Sequence, residues 1–225
     1  VSATIEEYLE AIYTLQERNG SAKTTELAKR LRVVLGTITN TIESMEKQNL
    51  IVHEPYKGVK LTAKGRKMAL DVVRRHRLSE RLLTDILRLE WSKAHDVACK
   101  LEHAITGEDV IKPLEKALGH PKTCPHGNPI PTESGRLAEE KSEPMTNLSP
   151  RESGVIVKIT DERHDMLQYL ATLGLVPGAS VSIEEKAPFN GPIIVKVMSA
   201  SYALGQNVAS VIWVKKSEAT ATLGG

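Results

Sequence analysis

Apolar residues recur at helical spacing through roughly the first half of the chain and at strand spacing near its end. Ile5, Tyr8, Leu9, Ile12 and Leu15 share one face of a helix expected to open at Thr4. Thr24 or Thr25 can cap a short helix carrying Leu27, Ala28 and Leu31. After the R-V-V-L-G turn, a helix is expected from Thr37 to about Gln48, with Ile38, Ile42 and Met45 inward. Two short helices across a tight turn predict a helix-turn-helix. I-V-H-E-P-Y-K-G-V-K-L then gives two extended runs around a Pro/Gly turn, a β-hairpin that completes a winged helix.

Thr62 starts a long helical stretch, T-A-K-G-R-K-M-A-L-D-V-V-R-R-H-R-L-S-E-R-L-L. Ser92 is placed to cap the next helix and Gly107 to end it. A last helix near residues 108–118 is expected to expose Val110, Ile111, Leu114 and Leu118, a stripe that suits a helical dimer surface. From His120 to Pro150 the text turns Pro-, Ser- and Glu-rich, a loop followed by a linker. Beyond it V-I-V-K-I, A-S-V-S-I-E-E, P-I-I-V-K-V and S-V-I-W-V alternate like strands, with one short helix at H-D-M-L-Q-Y-L-A-T-L-G. These predict a small β-barrel of SH3-like size, followed after Lys216 by a loose tail.

Six side chains with metal-ligand chemistry then change the picture. His76 and Glu80 sit four apart in one helical segment, and His95, Cys99, Glu102 and His103 fall at i, i+4, i+7 and i+8 of the next. At helical pitch these four project within an arc of roughly 100°. Ala94, Val97, Ala98, Leu101, Ala104 and Ile105 take the other side. Each residue alone reads better as a partly buried His, a core Cys or a solvated Glu; the set reads as a metal-binding helix pair. Imidazole, carboxylate and thiolate together are too rich in nitrogen and sulfur for Mg²⁺ or Ca²⁺ and suit a divalent transition metal. Cys124 and His126 of C-P-H-G are two donors on a Pro-rich loop, and are read as a structural turn rather than a further site.

Charge and cysteine content narrow the class. Residues 21–81 hold fourteen Lys/Arg against six Asp/Glu, within a chain of net charge +2. That basic module suggests a polyanionic partner. Two cysteines make no disulfide framework, and Cys99 is worth more as a thiolate in a reducing compartment. No apolar run approaches transmembrane length and the start lacks a signal-peptide pattern, so a soluble, cytoplasmic protein is expected. There is no H-E-x-x-H, and no nucleophile or base remains once the ligands are assigned, which argues against an enzyme. The competing readings are a zinc hydrolase or metal-dependent oxidoreductase, and a winged-helix regulator of an organic ligand whose His/Cys/Glu helices only pack.

At H-R-L-S-E-R-L-L-T-D-I-L, K-A-H-D-V-A-C-K-L-E-H and C-P-H-G-N-P-I-P the chain resembles the diphtheria-toxin-repressor family of iron- or manganese-dependent transcriptional repressors. The resemblance implies a mainly α fold with a small β domain. Its parts are a winged-helix DNA-binding domain (1–72), a metal-binding and dimerisation domain (73–131), a linker (132–150) and an SH3-like domain (151–217). L-G-L-V-P-G and Y-A-L-G also look like the ferrous-transport accessory domain. Cys99, Glu102 and His103 match the family's primary metal site, with Glu7 at its first-helix position and Glu10 matching a manganese-type acidic ligand. His76, Glu80 and His95 match the ancillary site. Glu7 has a second reading as part of a Thr4-x-x-Glu7 capping box. The family's SH3-like Glu and Gln ligands are not matched: Arg163 and Met166 stand there, beside Glu162, His164 and Asp165.

The resemblance further implies a homodimer on double-stranded operator DNA, away from membranes, controlling metal homeostasis genes. Metal joining the first helix to the dimerisation helices would set the spacing of two recognition helices. Cys99 favours Fe²⁺, whereas Glu7 and Glu10 pull toward Mn²⁺; the expected cofactor is Fe²⁺, with Mn²⁺ the alternative. Zn²⁺, Ni²⁺ or Co²⁺ can substitute in vitro by affinity. On the recognition helix Thr37, Thr39, Asn40, Thr41 and Ser44 offer short polar groups to bases. Asn40 aligns with a family base-reading position, while Val34 and Gly36 depart from the iron-type Ser and Pro. Lys47, Lys57 and Lys60 are expected on phosphates.

Overall fold

The computed structural model describes residues 2–54, 57–138 and 141–217; the expected tail, from residue 218 on, lies outside the described residues. The chain divides into two compact units. One comprises Val1–His76, Leu101–Ile111 and Pro131–Leu137, the other Arg77–Lys100, Lys112–Ile130 and Ala138–Gly225. The stretch expected as one metal-binding domain is therefore shared between them.

The first unit opens with α1 (Ala3–Asn19). Ser2 caps it, accepting the Ile5 N–H at 3.4 Å, so Thr4 lies inside the first turn and a Thr4–Glu7 capping box does not start the helix. α2 (Thr24–Leu31) and α3 (Leu35–Lys47) follow, joined through Arg32 in the left-handed region. Lys23 precedes α2 with no side-chain cap, and α3 begins two residues before the expected Thr37. Ile38, Ile42 and Met45 face inward as their spacing requires, against Tyr8, Leu9, Ile12 and Leu27.

β1 (Ile51–Glu54) pairs antiparallel with β2 (Gly58–Leu61), Ile51 opposite Leu61. Ala22 extends this wing by two backbone hydrogen bonds with Val59, of 2.9 and 2.8 Å. Gly58 (φ +102°) is required there, because a Cβ would stand 2.6 Å from the Ala22 carbonyl oxygen. Thr62 accepts the Gly65 N–H at 3.0 Å and starts α4 (Ala63–Arg81), which closes the core with Ala69, Leu70 and Val73.

In the second unit the end of α4 widens into a π turn at Leu82–Ile86, and a 3₁₀ turn at Trp91–Lys93 leads into α5 (Ala94–Leu101). Ser92 does not cap α5; it is buried inside the 3₁₀ turn, and its hydroxyl donates to the Glu90 carboxylate at 2.9 Å. α5 stops at Leu101, whose carbonyl accepts from both Ala104 and Ile105, so Glu102 and His103 lie on a turn beyond the helix. α6 (Glu108–Ala117) follows. Val110 is exposed, but Ile111, expected at the surface, is buried: it lines, with Asp71, Arg75 and Thr106, a cavity of about 300 Å³. Leu114 and Leu118 are half-buried.

The C-terminal part is a six-stranded antiparallel sheet in the order β3-β8-β4-β5-β6-β7. Its strands are β3 (Glu143–Pro144), β4 (Ser153–Ile159), β5 (Ser180–Lys186), β6 (Ile193–Val197), β7 (Ala200–Leu204) and β8 (Ile212–Lys216), with α7 (His164–Thr172) and α8 (Gln206–Ala209). Ile156, Ile183, Val195, Ile212 and Val214 fill its core with Leu167 and Leu170 of α7. Met145 and Leu148 are fully buried in the same core, so residues 143–148, within the expected linker, belong to this domain.

Candidate metal centres

Within the first unit, Glu10 of α1, His76 of α4 and Glu102 of the post-α5 turn bring ligand atoms within 4.8 Å of one another. His76 and Glu102 are almost fully buried, and His76 Nδ1 lies 2.5 Å from Glu102 Oε2. Burial and the nearby Glu10 charge raise the Glu102 carboxyl above its usual range, opposed by the His76 hydrogen bond. A buried carboxylate with a second, half-buried one close by suits a cation between them. His103 adjoins this trio, its Nε2 3.4 Å from Glu102 Oε1. That nitrogen is buried and makes no hydrogen bond. An orphaned imidazole nitrogen beside the Glu102 carboxylate fits a divalent metal.

The other face of His103 is held. Its Nδ1 lies 2.7 Å from Glu6 Oε2. Arg75, 3% exposed, donates to both Glu6 oxygens at 2.8 and 3.3 Å, to Asp71 at 3.2 Å and to the Glu102 carbonyl at 2.6 Å. Burial alone would raise the Glu6 carboxyl; the hydrogen bonds from Arg75 and His103 outweigh it and hold that group low.

The second unit gathers Glu80 of α4, Cys124 and His126 of the C-P-H-G turn, and Glu162 of the β4–α7 loop. His126 Nδ1 is 3.1 Å from Glu80, 3.5 Å from Glu162 and 4.0 Å from Cys124 Sγ. Its Nε2–H donates to the Trp91 carbonyl at 3.1 Å. Burial opposes a charge on this ring, but its hydrogen bonds with Cys124, Glu162 and Glu80 raise its pKa, so without an ion Nδ1 also carries a proton toward the acids, in the place an ion would take. His95 Nδ1 faces Glu162 at 3.4 Å and Glu80 at 3.5 Å, and its Nε2 lies 3.7 Å from Cys99 Sγ. Burial pushes the Cys124 thiol up to about 11. Glu162 is held down at about 2 although burial and Glu80 oppose it, because His126 and His95 surround it. This set, imidazoles and carboxylates with a thiol, also has transition-metal chemistry.

The turn is built tightly. His126 accepts the Ile159 N–H at 2.8 Å, and Asn128 donates to the Ile159 carbonyl and to Glu162. Arg77 and Arg81 of α4 donate to the carbonyls of Pro129 and Thr123. Gly127 (φ +86°) has no room for a Cβ, which would stand 1.9 Å from the Val157 carbonyl oxygen. Gly127→Ala is therefore expected to unseat the turn, at a cost of about 1–3 kcal/mol for the strained backbone, and to weaken metal uptake by this unit; calorimetric metal titration checks it.

Of the residues singled out from the sequence, Glu10, His76, Glu102 and His103 meet in the first unit, and Glu80, His95 and Cys99 lie in the second. Glu7 is exposed, and no close group of three or more donors among the described residues includes it. Glu6, one position earlier, is turned inward instead, one helical turn from Glu10. Sequence reading missed Glu6, named Glu162 only as a neighbour of the unmatched positions, and set Cys124 and His126 aside as a structural turn, whereas the structure gathers the last three with Glu80. Helical phase relative to Glu10 does not separate the two, since Glu6 stands about 40° and Glu7 about 60° from it; only the packing of α1 against its core does.

On α3, Thr37, Thr39, Asn40, Ser44 and Lys47 are exposed and Thr41 is half-buried. Thr39 and Thr41 donate their hydroxyls to the carbonyls of Leu35 and Thr37 at 3.2 and 3.0 Å. Exposed Lys57 and Lys60 on the wing pair with Glu54 at 3.4 and 3.9 Å. Such surface pairs contribute little, so a phosphate can compete for either lysine.

A helix-turn-helix with a wing, followed by buried clusters of His, Glu and Cys, defines a DNA-binding module joined to metal-ligand chemistry. The chain matches the family descriptions "Iron dependent repressor, N-terminal DNA binding domain" over residues 1–59, "Iron dependent repressor, metal binding and dimerisation domain" over 62–132, and "FeoA domain" over 143–216. It is 34% identical to the iron-dependent repressor IdeR of Mycobacterium leprae, covering 95% of this chain and 97% of the relative. With the diphtheria toxin repressor of Corynebacterium jeikeium it shares 34% identity, over 80% of this chain and 84% of that one. Among solved structures, a manganese-dependent transcriptional repressor in complex with manganese superposes with a TM-score of 0.87 at 32% identity, over 95% of this chain and all of that one. The crystal structure of T. acidophilum IdeR superposes at 0.83 with 27% identity, over 94% of this chain and 97% of that one. The chain belongs to the diphtheria-toxin-repressor family of iron-dependent repressors.

Proposed function

We propose that this protein is a transcriptional repressor that binds operator DNA as a homodimer when loaded with Fe²⁺, and thereby controls metal homeostasis genes. The observation that carries the reading is the first-unit cluster. Glu10 lies on the first helix of the DNA-binding module, whereas His76 and Glu102 lie on α4 and the turn after α5. A cation held by Glu10, His76, Glu102 and His103 would tie α1 to those elements, favouring one arrangement by differential affinity. Glu80, His95, Cys124, His126 and Glu162 would hold a second ion. Cys99, a soft donor beside His95, supports the choice of Fe²⁺. The role is regulatory rather than catalytic, and the setting cytoplasmic; among the described residues no helix is long and apolar enough to cross a membrane.

Mn²⁺ is the second reading, favoured by the two carboxylates in the first-unit cluster. Cys99→Glu is expected to raise the response to Mn²⁺ relative to Fe²⁺ without changing operator choice. The ratio of half-activating concentrations, measured without oxygen, checks it; an unchanged ratio removes Cys99 from metal selection.

The proposal is tested by selection from a random-sequence duplex pool, without oxygen, in Fe²⁺, in Mn²⁺ and in chelator. Enrichment of one sequence class only with metal is expected; equal enrichment in chelator contradicts it. On the selected duplex, Asn40→Ala should cost about 1–3 kcal/mol and relax preference at one base position. Lys60→Ala should weaken all sequences alike and lower the salt slope by about 1.

A further inference from the structure

The two inward acids of α1 are in different chemical states. Glu10 shares a cluster with His76 and Glu102. Glu6 is already engaged through both oxygens, by the Arg75 fork at 2.8 and 3.3 Å and by His103 Nδ1 at 2.7 Å. To ligate an ion, Glu6 would have to leave a guanidinium that is 3% exposed, giving up a charge-assisted bidentate pair. Meanwhile His103 Nε2 is buried without a hydrogen bond, 3.4 Å from Glu102 Oε1.

We infer that Glu6 is a positioning residue and not a ligand: it accepts the Nδ1–H of His103 and so fixes the tautomer whose Nε2 lone pair is offered to the metal. This deepens the metal-site reading above and rests on it. A carboxylate on the far nitrogen of a ligating imidazole sets the ring's tautomer, orientation and basicity. Arg75 completes the device. It anchors Glu6 on α1 and, through the Glu102 carbonyl at 2.6 Å, the turn that carries Glu102 and His103. One guanidinium therefore fixes the helix and the ligand-bearing turn in register before any ion arrives.

The test uses the full chain with nitrogen-15 histidine, loaded with cadmium-113 as a diamagnetic, magnetically active probe. Coupling between cadmium and His103 Nε2, with a retained Nδ1–H proton, is expected. Coupling through Nδ1 overturns the inference while leaving His103 a ligand; no coupling to His103 at all removes the metal-site reading beneath it. In Glu6→Gln the cadmium resonance should keep its wild-type position, since no ligand has changed. A displacement typical of a lost oxygen ligand would make Glu6 a ligand and overturn the inference. Glu6→Leu should weaken Mn²⁺ binding by about 10- to 100-fold and let His103 sample both tautomers; an unchanged tautomer also overturns it.

Discussion

Glu102→Gln is expected to abolish the metal-induced gain in operator affinity, a factor of about 5–150 for a typical allosteric coupling. Glu102 is 1% exposed, its Oε2 2.5 Å from His76 and its Oε1 3.4 Å from His103. Gln preserves the shape but supplies a neutral donor where a divalent ion requires charge, so the ion no longer bridges α1, α4 and the turn after α5. The sign of the stability effect separates this from simple damage. Burial and Glu10 raise the Glu102 carboxyl above its ordinary value, so its ionised form is disfavoured in the folded chain. The neutral amide should leave the chelator-treated protein at least as stable. Gel-shift titration with and without metal, beside a thermal melt in chelator, reads both. A variant that still responds to metal as wild type does would remove Glu102 from the switch.

His126→Ala should have the next largest effect, in the second unit. Its imidazole faces Glu80, Glu162 and Cys124 together, at 3.1, 3.5 and 4.0 Å. Without it, two acids confront each other and the turn loses the contact to the Trp91 carbonyl. Metal affinity of this unit should fall by at least about 100-fold, beyond what loss of a merely supporting group costs. An ion present at 100 times its dissociation constant stabilises the fold by about 2.7 kcal/mol. For a chain of this size that corresponds to roughly 5–10 °C of metal-induced rise in Tm, which the variant should lose in large part. Metal stoichiometry by mass spectrometry under native conditions, with paired melts, checks the prediction.

The winged helix was legible because each of its elements carries its own period: Ile38, Ile42 and Met45 alone fix the inward face of α3. The metal chemistry was legible for residues that helical spacing brings into line. Where partners are distant in sequence, local pattern fails. Cys124 and His126 look like an ordinary Pro-rich turn until Glu80 and Glu162 meet them. The end of α5 at Leu101 was also hidden, since A-I-T-G beyond it continues an apolar period. β3 is two residues with a proline, and β7 (A-S-Y-A-L) buries only Leu204 fully, so neither shows a strand's alternation. Glu6 and Glu7 are identical in type, and only the phase of α1 against its core separates them.

Reciprocity offers the most direct measurement. If metal tightens binding to DNA, DNA must tighten binding of metal by the same factor. Mn²⁺ affinity is to be measured without oxygen on the full-length protein, alone and with saturating duplex recovered by the metal-dependent selection. The account predicts that the duplex lowers the Mn²⁺ dissociation constant by the same factor as Mn²⁺ lowers that of the duplex, and that Glu102→Gln removes both effects. Equal Mn²⁺ affinity with and without the duplex would contradict the claim that the ion acts as the switch.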